Sequence, residues 1–277
     1  MAAISAADVK RLREVTGIGM MDCKSALTEA DGDFDAAIDL LRKKGQKVAA
    51  KRADRDAKEG LVITKASADG KTAVLVEVTS ETDFVSRNEE FGAFANQIAD
   101  AVLAHLPADL DAANALPLDG GRTVGEASTD MTGKIGEKIG VRRFAVMTAE
   151  TGRVITYTHP GSRLGVLVEA DGAGDIEAAA RDAAMQVAAL NPVSTARADV
   201  PEELRAKEFE VGREQARNEG KPEAMLDKIA TGRVERYYKD NVLLEQPFVK
   251  DASTTVGDML KKAGVDVKRF VRFALGD

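Results

Sequence analysis

Val74-Leu-Val-Glu77 recurs as Val166-Leu-Val-Glu169, and Gly60-Leu-Val-Ile-Thr64 recurs as Gly152-Arg-Val-Ile-Thr156. Both matches stand 92 residues apart, with no gap between them. Two alternating apolar runs divided by a glycine-bearing turn, at Gly70 and again at Gly161, read as a β-hairpin in each copy. An amphipathic helix follows each hairpin. Phe91, Phe94, Ile98 and Val102 share one face of the first, and Ile176, Ala180, Ala183 and Val187 one face of the second. Pro107 and Pro192 close these helices. The duplication continues: Thr123-Val-Gly-Glu126 recurs as Thr255-Val-Gly-Asp258, and Val141-Arg-Arg-Phe144 as Val267-Lys-Arg-Phe270, each ending a third strand.

The copies differ in length at two places. The closing prolines stand only 85 residues apart, so the first copy holds seven more residues between its second strand and its helix end. That excess falls at Thr82–Val85 and carries Phe84, which follows the polar run Thr79-Ser-Glu-Thr-Asp83. Two readings stand for Phe84: a loop residue folded back into the core, or a projecting wedge. Further on, 15 residues lie between Pro107 and Thr123 but 62 between Pro192 and Thr255, so the second copy carries 47 more. Pro201–Tyr238 is helical in composition, with Gly220-Lys221-Pro222 as a break. Leu204, Val211, Met225 and Ile229 are too sparse for an independent core, which predicts an antiparallel helical hairpin projecting into solvent.

The N-terminal segment reads as three short helices. Ser5-Ala-Ala-Asp8 can cap the first, which Thr16-Gly17 ends; Asp22–Ala30 and Phe34–Lys44 form the others, with Gly45 as a C-terminal cap. Leu27, Phe34, Ile38 and Leu41 supply a small core, and Gln46–Asp56 reads as a polar linker. The expected organisation is α+β. A helical bundle and linker spans 1–55, a first core copy 56–150, and a second 151–277, interrupted by the helical hairpin at about 195–240.

Composition narrows the function classes. No run approaches the roughly 20 apolar residues of a membrane span. Met1-Ala-Ala-Ile-Ser5 lacks the basic region of a signal peptide, and the single Cys23 allows no internal disulfide, so a reducing cytoplasm is expected. Cys23 reads as a small core residue rather than a nucleophile. Net charge is −7, but Arg42–Arg55 is locally +6. That run could grip phosphates or be a solvated helix end; without interleaved aromatics and beside an acidic remainder, direct nucleic-acid binding is not expected. The two histidines, His105 and His159, form no metal motif, and no cofactor or metal is expected. Gly70-Lys71-Thr72 lacks the first glycine of a phosphate loop, since residue 65 is Lys. His159 lies in the second hairpin turn, as a plain turn residue or a polar contact on a partner surface.

Two long segments resemble a known family. Leu12-Arg-Glu-Val-Thr-Gly-Ile-Gly-Met-Met-Asp-Cys-Lys-Ser-Ala-Leu27 and Glu77-Val-Thr-Ser-Glu-Thr-Asp-Phe-Val-Ser-Arg-Asn88 are similar to the two signatures of bacterial elongation factor Ts. Arg163-Leu-Gly-Val-Leu-Val168, Gly220-Lys-Pro222 and Gln246-Pro-Phe248 resemble it too, in order along essentially the whole chain. The resemblance implies a UBA-like three-helix bundle ahead of a duplicated core of small antiparallel sheets with helices. It implies a non-enzymatic guanine nucleotide exchange factor that binds elongation factor Tu and promotes GDP release. Leu12, Met20 and Met21 would dock on the partner's nucleotide-binding domain. Thr82, Asp83, Phe84 and Val85 would enter beside the nucleotide and disturb its magnesium and phosphate site. His159 and Arg163 would grip another domain of the partner. The helical extension that follows the last core strand in some members is expected to be short or absent.

Overall fold

The computed structural model describes residues 4–277. They form two compact units: one gathers the chain up to Ile63 with Val76–Phe144 and Leu275–Asp277, the other Thr64–Leu75 with Ala145–Ala274.

The first unit opens with α1 (Ala6–Thr16), α2 (Met20–Glu29) and α3 (Phe34–Arg52). Ser5 and Asp8 make a capping box: the Asp8 amide donates to Ser5 Oγ and the Ser5 amide to Asp8 Oδ2. Gly17 ends α1 in the left-handed region, and its amide donates to the Arg13 carbonyl. Val9, Leu12, Cys23, Ala26, Leu27, Ala37 and Leu41 form the bundle core, with Phe34 and Ile38 against it. The third helix departs from the sequence expectation: Gly45 does not cap it, and the segment expected as a linker continues it to Arg52. The cause is tertiary. Gly45 crosses Gly133 so closely that a Cβ on Gly133 would lie 2.4 Å from the Gly45 Cα. A glycine there costs about 1 kcal/mol of helix propensity and permits a backbone-to-backbone crossing.

The first hairpin is β1 (Glu59–Ala66) and β2 (Thr72–Ser80), with Gly70 at φ 69° in its turn. After it come α4 (Asp83–Ser86), α5 (Glu89–His105), α6 (Leu110–Asn114), β3 (Pro117–Leu118), β4 (Arg122–Thr123), α7 (Val124–Ile135) and β5 (Gly140–Thr148). The sheet order is β1-β2-β5. Phe91, Phe94, Ile98 and Val102 of α5 are all buried, as their spacing predicts.

In the second unit β6 (Arg153–Thr158) and β7 (Leu164–Gly172) make the second hairpin. Next come α8 (Ile176–Leu190), α9 (Glu202–Asn218), α10 (Glu223–Asn241), β8 (Pro247–Phe248), β9 (Asp251–Thr255), α11 (Val256–Ala263) and β10 (Val265–Ala274). The antiparallel order β6-β7-β10 reproduces that of the first sheet. Val141 and Val267 stand near the start of their strands rather than at the end, since β5 runs on to Thr148 and β10 to Ala274. The fold is α+β, and each copy carries the same Glu–Arg ion pair, built on a buried carboxylate with a partly exposed arginine. Glu77, wholly buried, accepts from Arg143 Nε at 2.6 Å and from Arg142 Nη1 at 2.9 Å; Glu169 accepts from Arg269 Nε at 2.6 Å. Arg269 stands directly across the ladder from Glu169, just after a bulge in β10. A buried carboxylate is tolerable only when paired in this way, and the pair is available in one strand register alone.

The 47 extra residues contain α9 and α10, which fold back on each other around Gly220 and are joined by Arg213–Asp227, Arg217–Glu223 and Arg233–Glu208 ion pairs. Their seam is not the expected stripe. Leu204 and Met225 are exposed; Gly212, Ala216, Leu226, Ala230, Val234 and Tyr238 are buried. Small residues let the axes approach: a Cβ on Gly212 would sit 2.9 Å from the Ala230 Cα. Beneath the seam, Gln186 donates to Gln246 Oε1 and the Pro247 carbonyl, and Gln246 donates to the Asp240 carbonyl of α10.

Candidate partner-binding site

The seven-residue excess of the first copy divides between connection and helix. Eight residues join β2 to α5 where three join β7 to α8, and α5 is two residues longer than α8. The longer connection folds into α4, a single helical turn. The Ser86 amide donates to the Thr82 carbonyl, Arg87 to Asp83 and Asn88 to Val85, and Ser86 Oγ donates to the Asp83 carbonyl. Asn88 then caps α5 through the Glu90 amide.

Phe84 sits on this turn with 82% of its surface in water, the most exposed large apolar side chain among the described residues. The folded-back reading is therefore excluded. Asp83 is held by Arg87 at 2.8 Å, a one-turn ion pair, and Thr82 and Val85 are half-buried. The base of the turn is fixed by carboxylates. Glu137, in the connection between α7 and β5, accepts from the Glu81 amide, the Thr82 amide and Thr82 Oγ1. Glu81 accepts from the Lys138 amide, Arg52 and Arg55. Partial burial pushes the Glu81 carboxyl up, but the Lys138 amide and the two guanidiniums outweigh it and hold it below its ordinary range.

The bundle residues divide. Met20 and Met21 are exposed at the start of α2, at 53% and 75%. Leu12 is wholly buried in the bundle core and offers no surface to a partner; it shapes the bundle instead. Val15, not singled out from the sequence, is 65% exposed at the end of α1. Its signal was available: it lies off the Val9–Leu12 face and one turn of chain before Met20 and Met21.

His159 and Arg163 occupy the turn between β6 and β7, both exposed. Gly161 and Ser162 are left-handed there, and the His159 amide pairs with the Leu164 carbonyl. Tyr157 Oη lies 2.9 Å from His159 Nδ1, which fixes the ring while leaving its other edge to solvent. Within the basic run, Arg42, Lys44, Arg52 and Arg55 are engaged by carboxylates of this chain, which leaves a weaker phosphate-binding field than the sequence alone presents. Among the described residues no His, Cys, Asp and Glu side chains cluster to hold a metal, and no helix is long and apolar enough to cross a membrane.

Met20 and Met21, Phe84 on its helical turn, and His159 with Arg163 are thus each exposed on their own part of the chain. Comparison with known proteins shows the family. The family model described as Elongation factor TS matches residues 81–277. The chain is 52% identical to elongation factor Ts of Nocardia farcinica over 282 residues, covering 100% of this chain and 99% of the relative. It is 46% identical to that of Chloroherpeton thalassium over 288 residues, covering all of both chains. It is 48% identical to that of Cytophaga hutchinsonii over 279 residues, covering 99% of this chain and all of the relative.

Proposed function

The chain belongs to the elongation factor Ts family of translation elongation factors, and from that premise we propose that it binds elongation factor Tu·GDP in the cytoplasm and promotes GDP release. The observation that carries this reading is Phe84: a large ring held in water on a braced turn, on a scaffold whose other copy lacks it. A folded chain keeps such a ring exposed at a cost, and burial in a partner recovers it.

The roles are those of contact and displacement. Met20 and Met21, with Val15, dock on the partner's nucleotide-binding domain, and His159 and Arg163 grip a second domain. Thr82, Asp83, Phe84 and Val85 enter beside the nucleotide, where the ring shifts the elements that hold phosphate and the Asp83 carboxylate disturbs the partner's magnesium. No covalent bond changes. The work is linkage: the factor binds the nucleotide-free partner more tightly than the GDP-bound one, and by reciprocity weakens GDP by the same ratio. A weakening of about four orders of magnitude needs about 5.5 kcal/mol of differential affinity. One aromatic supplies part of that, and the bundle and the second copy supply the remainder as separate contacts.

The test is release of fluorescent GDP from elongation factor Tu with excess unlabelled nucleotide. Addition of this protein should accelerate release by orders of magnitude and saturate with concentration. Release at the unassisted rate, at concentrations where the two proteins comigrate on a sizing column, would remove the exchange function.

A further inference from the structure

The matched runs stand 132 residues apart at Thr123/Thr255 but 126 at Val141/Val267, so the first copy also holds six more residues between its capping threonine and its third strand. Four lengthen α7 relative to α11. The other two fall between the cap and the matched valine, where four residues separate Gly136 from Val141 and two separate Gly264 from Val267. That second excess contains Glu137 and Lys138, and it bonds to the Phe84 segment.

Glu137 Oε2 accepts two consecutive backbone amides, Glu81 at 3.1 Å and Thr82 at 2.9 Å, and Oε1 accepts Thr82 Oγ1 at 2.7 Å. Two adjacent N–H groups directed at one oxygen fix the direction in which the chain leaves β2. The exchange is reciprocal, because Glu81 Oε1 accepts the Lys138 amide at 2.8 Å. Glu137 is itself braced. Gly136 before it is left-handed at φ 82°, and Thr132 Oγ1 accepts the Ile139 amide behind it at 3.1 Å. Lys138 Nζ donates to the carbonyls of Ala53 and Arg55, and Arg52 reaches Glu81, so the end of α3 joins the same clasp.

We propose that Glu137 is a positioning residue for nucleotide exchange: its carboxylate holds the Glu81–Thr82 backbone so that Phe84 is presented in one attitude. This rests on the exchange reading above. A turn held in one attitude loses little freedom when its ring enters a partner, so the clasp acts on the step the ring performs more than on docking. Charge-assisted bonds to backbone amides suit that task, since they constrain main chain rather than a mobile side chain.

The experiment compares wild type, Glu137→Ala, Phe84→Ala and the double variant in GDP release from elongation factor Tu. Factor concentration is varied, so that the maximal rate and the half-saturating concentration separate. Glu137→Ala should lower the maximal rate about tenfold and move half-saturation less than threefold. On top of Phe84→Ala it should remove less than a further twofold, because the residue acts through the ring. A wild-type maximal rate for Glu137→Ala, or a full tenfold further loss in the Phe84→Ala background, overturns the proposal and leaves the exchange reading standing. A wild-type rate for Phe84→Ala overturns the wedge and this proposal with it, whereas release at the unassisted rate with the wild type removes the exchange reading itself. Should Glu137→Ala fail to fold cooperatively, Glu137→Gln replaces it. Keeping one acceptor oxygen, it should lose about threefold with the same lack of additivity, and an unchanged rate or an additive loss again refutes the role.

Discussion

Replacing Phe84 by alanine separates two properties that a buried aromatic would join. The ring is 82% exposed and rests on a turn whose own hydrogen bonds are backbone and hydroxyl bonds, so its removal should change folding stability by no more than about 0.5 kcal/mol. Complete burial of a phenylalanine contributes about 1.5–3 kcal/mol. With 82% of the surface still available, the ring can gain roughly 1.2–2.5 kcal/mol on entering a partner. If that gain is made where GDP is expelled, its loss slows catalysed release by a factor of about 8–70. Asp83→Ala should slow release less, since Arg87 already engages the carboxylate at a partly solvated site. Stopped-flow release of labelled GDP measures the rate, and urea denaturation of the same preparation measures stability. A Phe84→Ala protein of normal stability with normal exchange would refute the wedge. A stability loss of about 3–5 kcal/mol, the cost of deleting a core phenylalanine, would refute the exposed attitude of the ring.

Four further outcomes are expected. Gly133→Ala should destabilise by about 1–3 kcal/mol in denaturant, because its methyl meets the Gly45 backbone at 2.4 Å, whereas Gly45→Ala, with 3.4 Å of room, should be neutral or gain up to about 1 kcal/mol; equal effects would contradict the crossing. The Glu81 carboxyl is held low in the folded chain, so its contribution is fully present above its ordinary value of 4.5 and drains away as pH falls through the folded value. The resonance of the Lys138 amide, which the Glu81 carboxylate accepts, should stay fixed above pH 4.5 and move below it, and movement near neutrality would break the assignment. Replacing 202–238 by a short Gly/Ser linker should leave the urea midpoint of the duplicated core nearly unchanged, because the buried seam of α9 and α10 is largely internal; a collapse of the midpoint would make the hairpin part of the core. His159→Ala should weaken the complex by about 1 kcal/mol without altering thermal stability, and an unchanged affinity measured by calorimetry would return His159 to a plain turn residue.

Local chemistry made much of this fold legible. The hairpins, the Ser5 cap, and the buried faces of α5 and α8 follow from periodicity and capping residues that act over a few positions. The failures share one cause, which is action at long sequence distance. Gly45 reads as a helix end until Gly133, 88 residues on, is seen crossing it. The large apolar residues of α9 and α10 point to a different seam, and Gly212, Ala216 and Ala230 carry the close approach. Leu12 belongs to a signature segment, and membership of a segment does not distinguish a supporting side chain from a touching one. The length difference between the copies marks the Phe84 segment in the sequence, whereas the Glu137 clasp beneath it joins residues 55 positions apart and leaves no local signal.

The repeated Glu–Arg pair marks the part of the duplicated unit that both halves have kept, and so defines where each half can be lengthened. Growth has occurred at the strand–helix connection and ahead of the third strand in one half, and after the helix in the other, always outside the ladder that Glu77–Arg143 and Glu169–Arg269 fasten. The second half is therefore a natural acceptor for transplantation. Exchanging 173–175 for the 81–88 segment, and lengthening the Gly264 junction by a Glu-Lys pair, would ask one sheet to present a ring that it has not carried, with its strand register already secured.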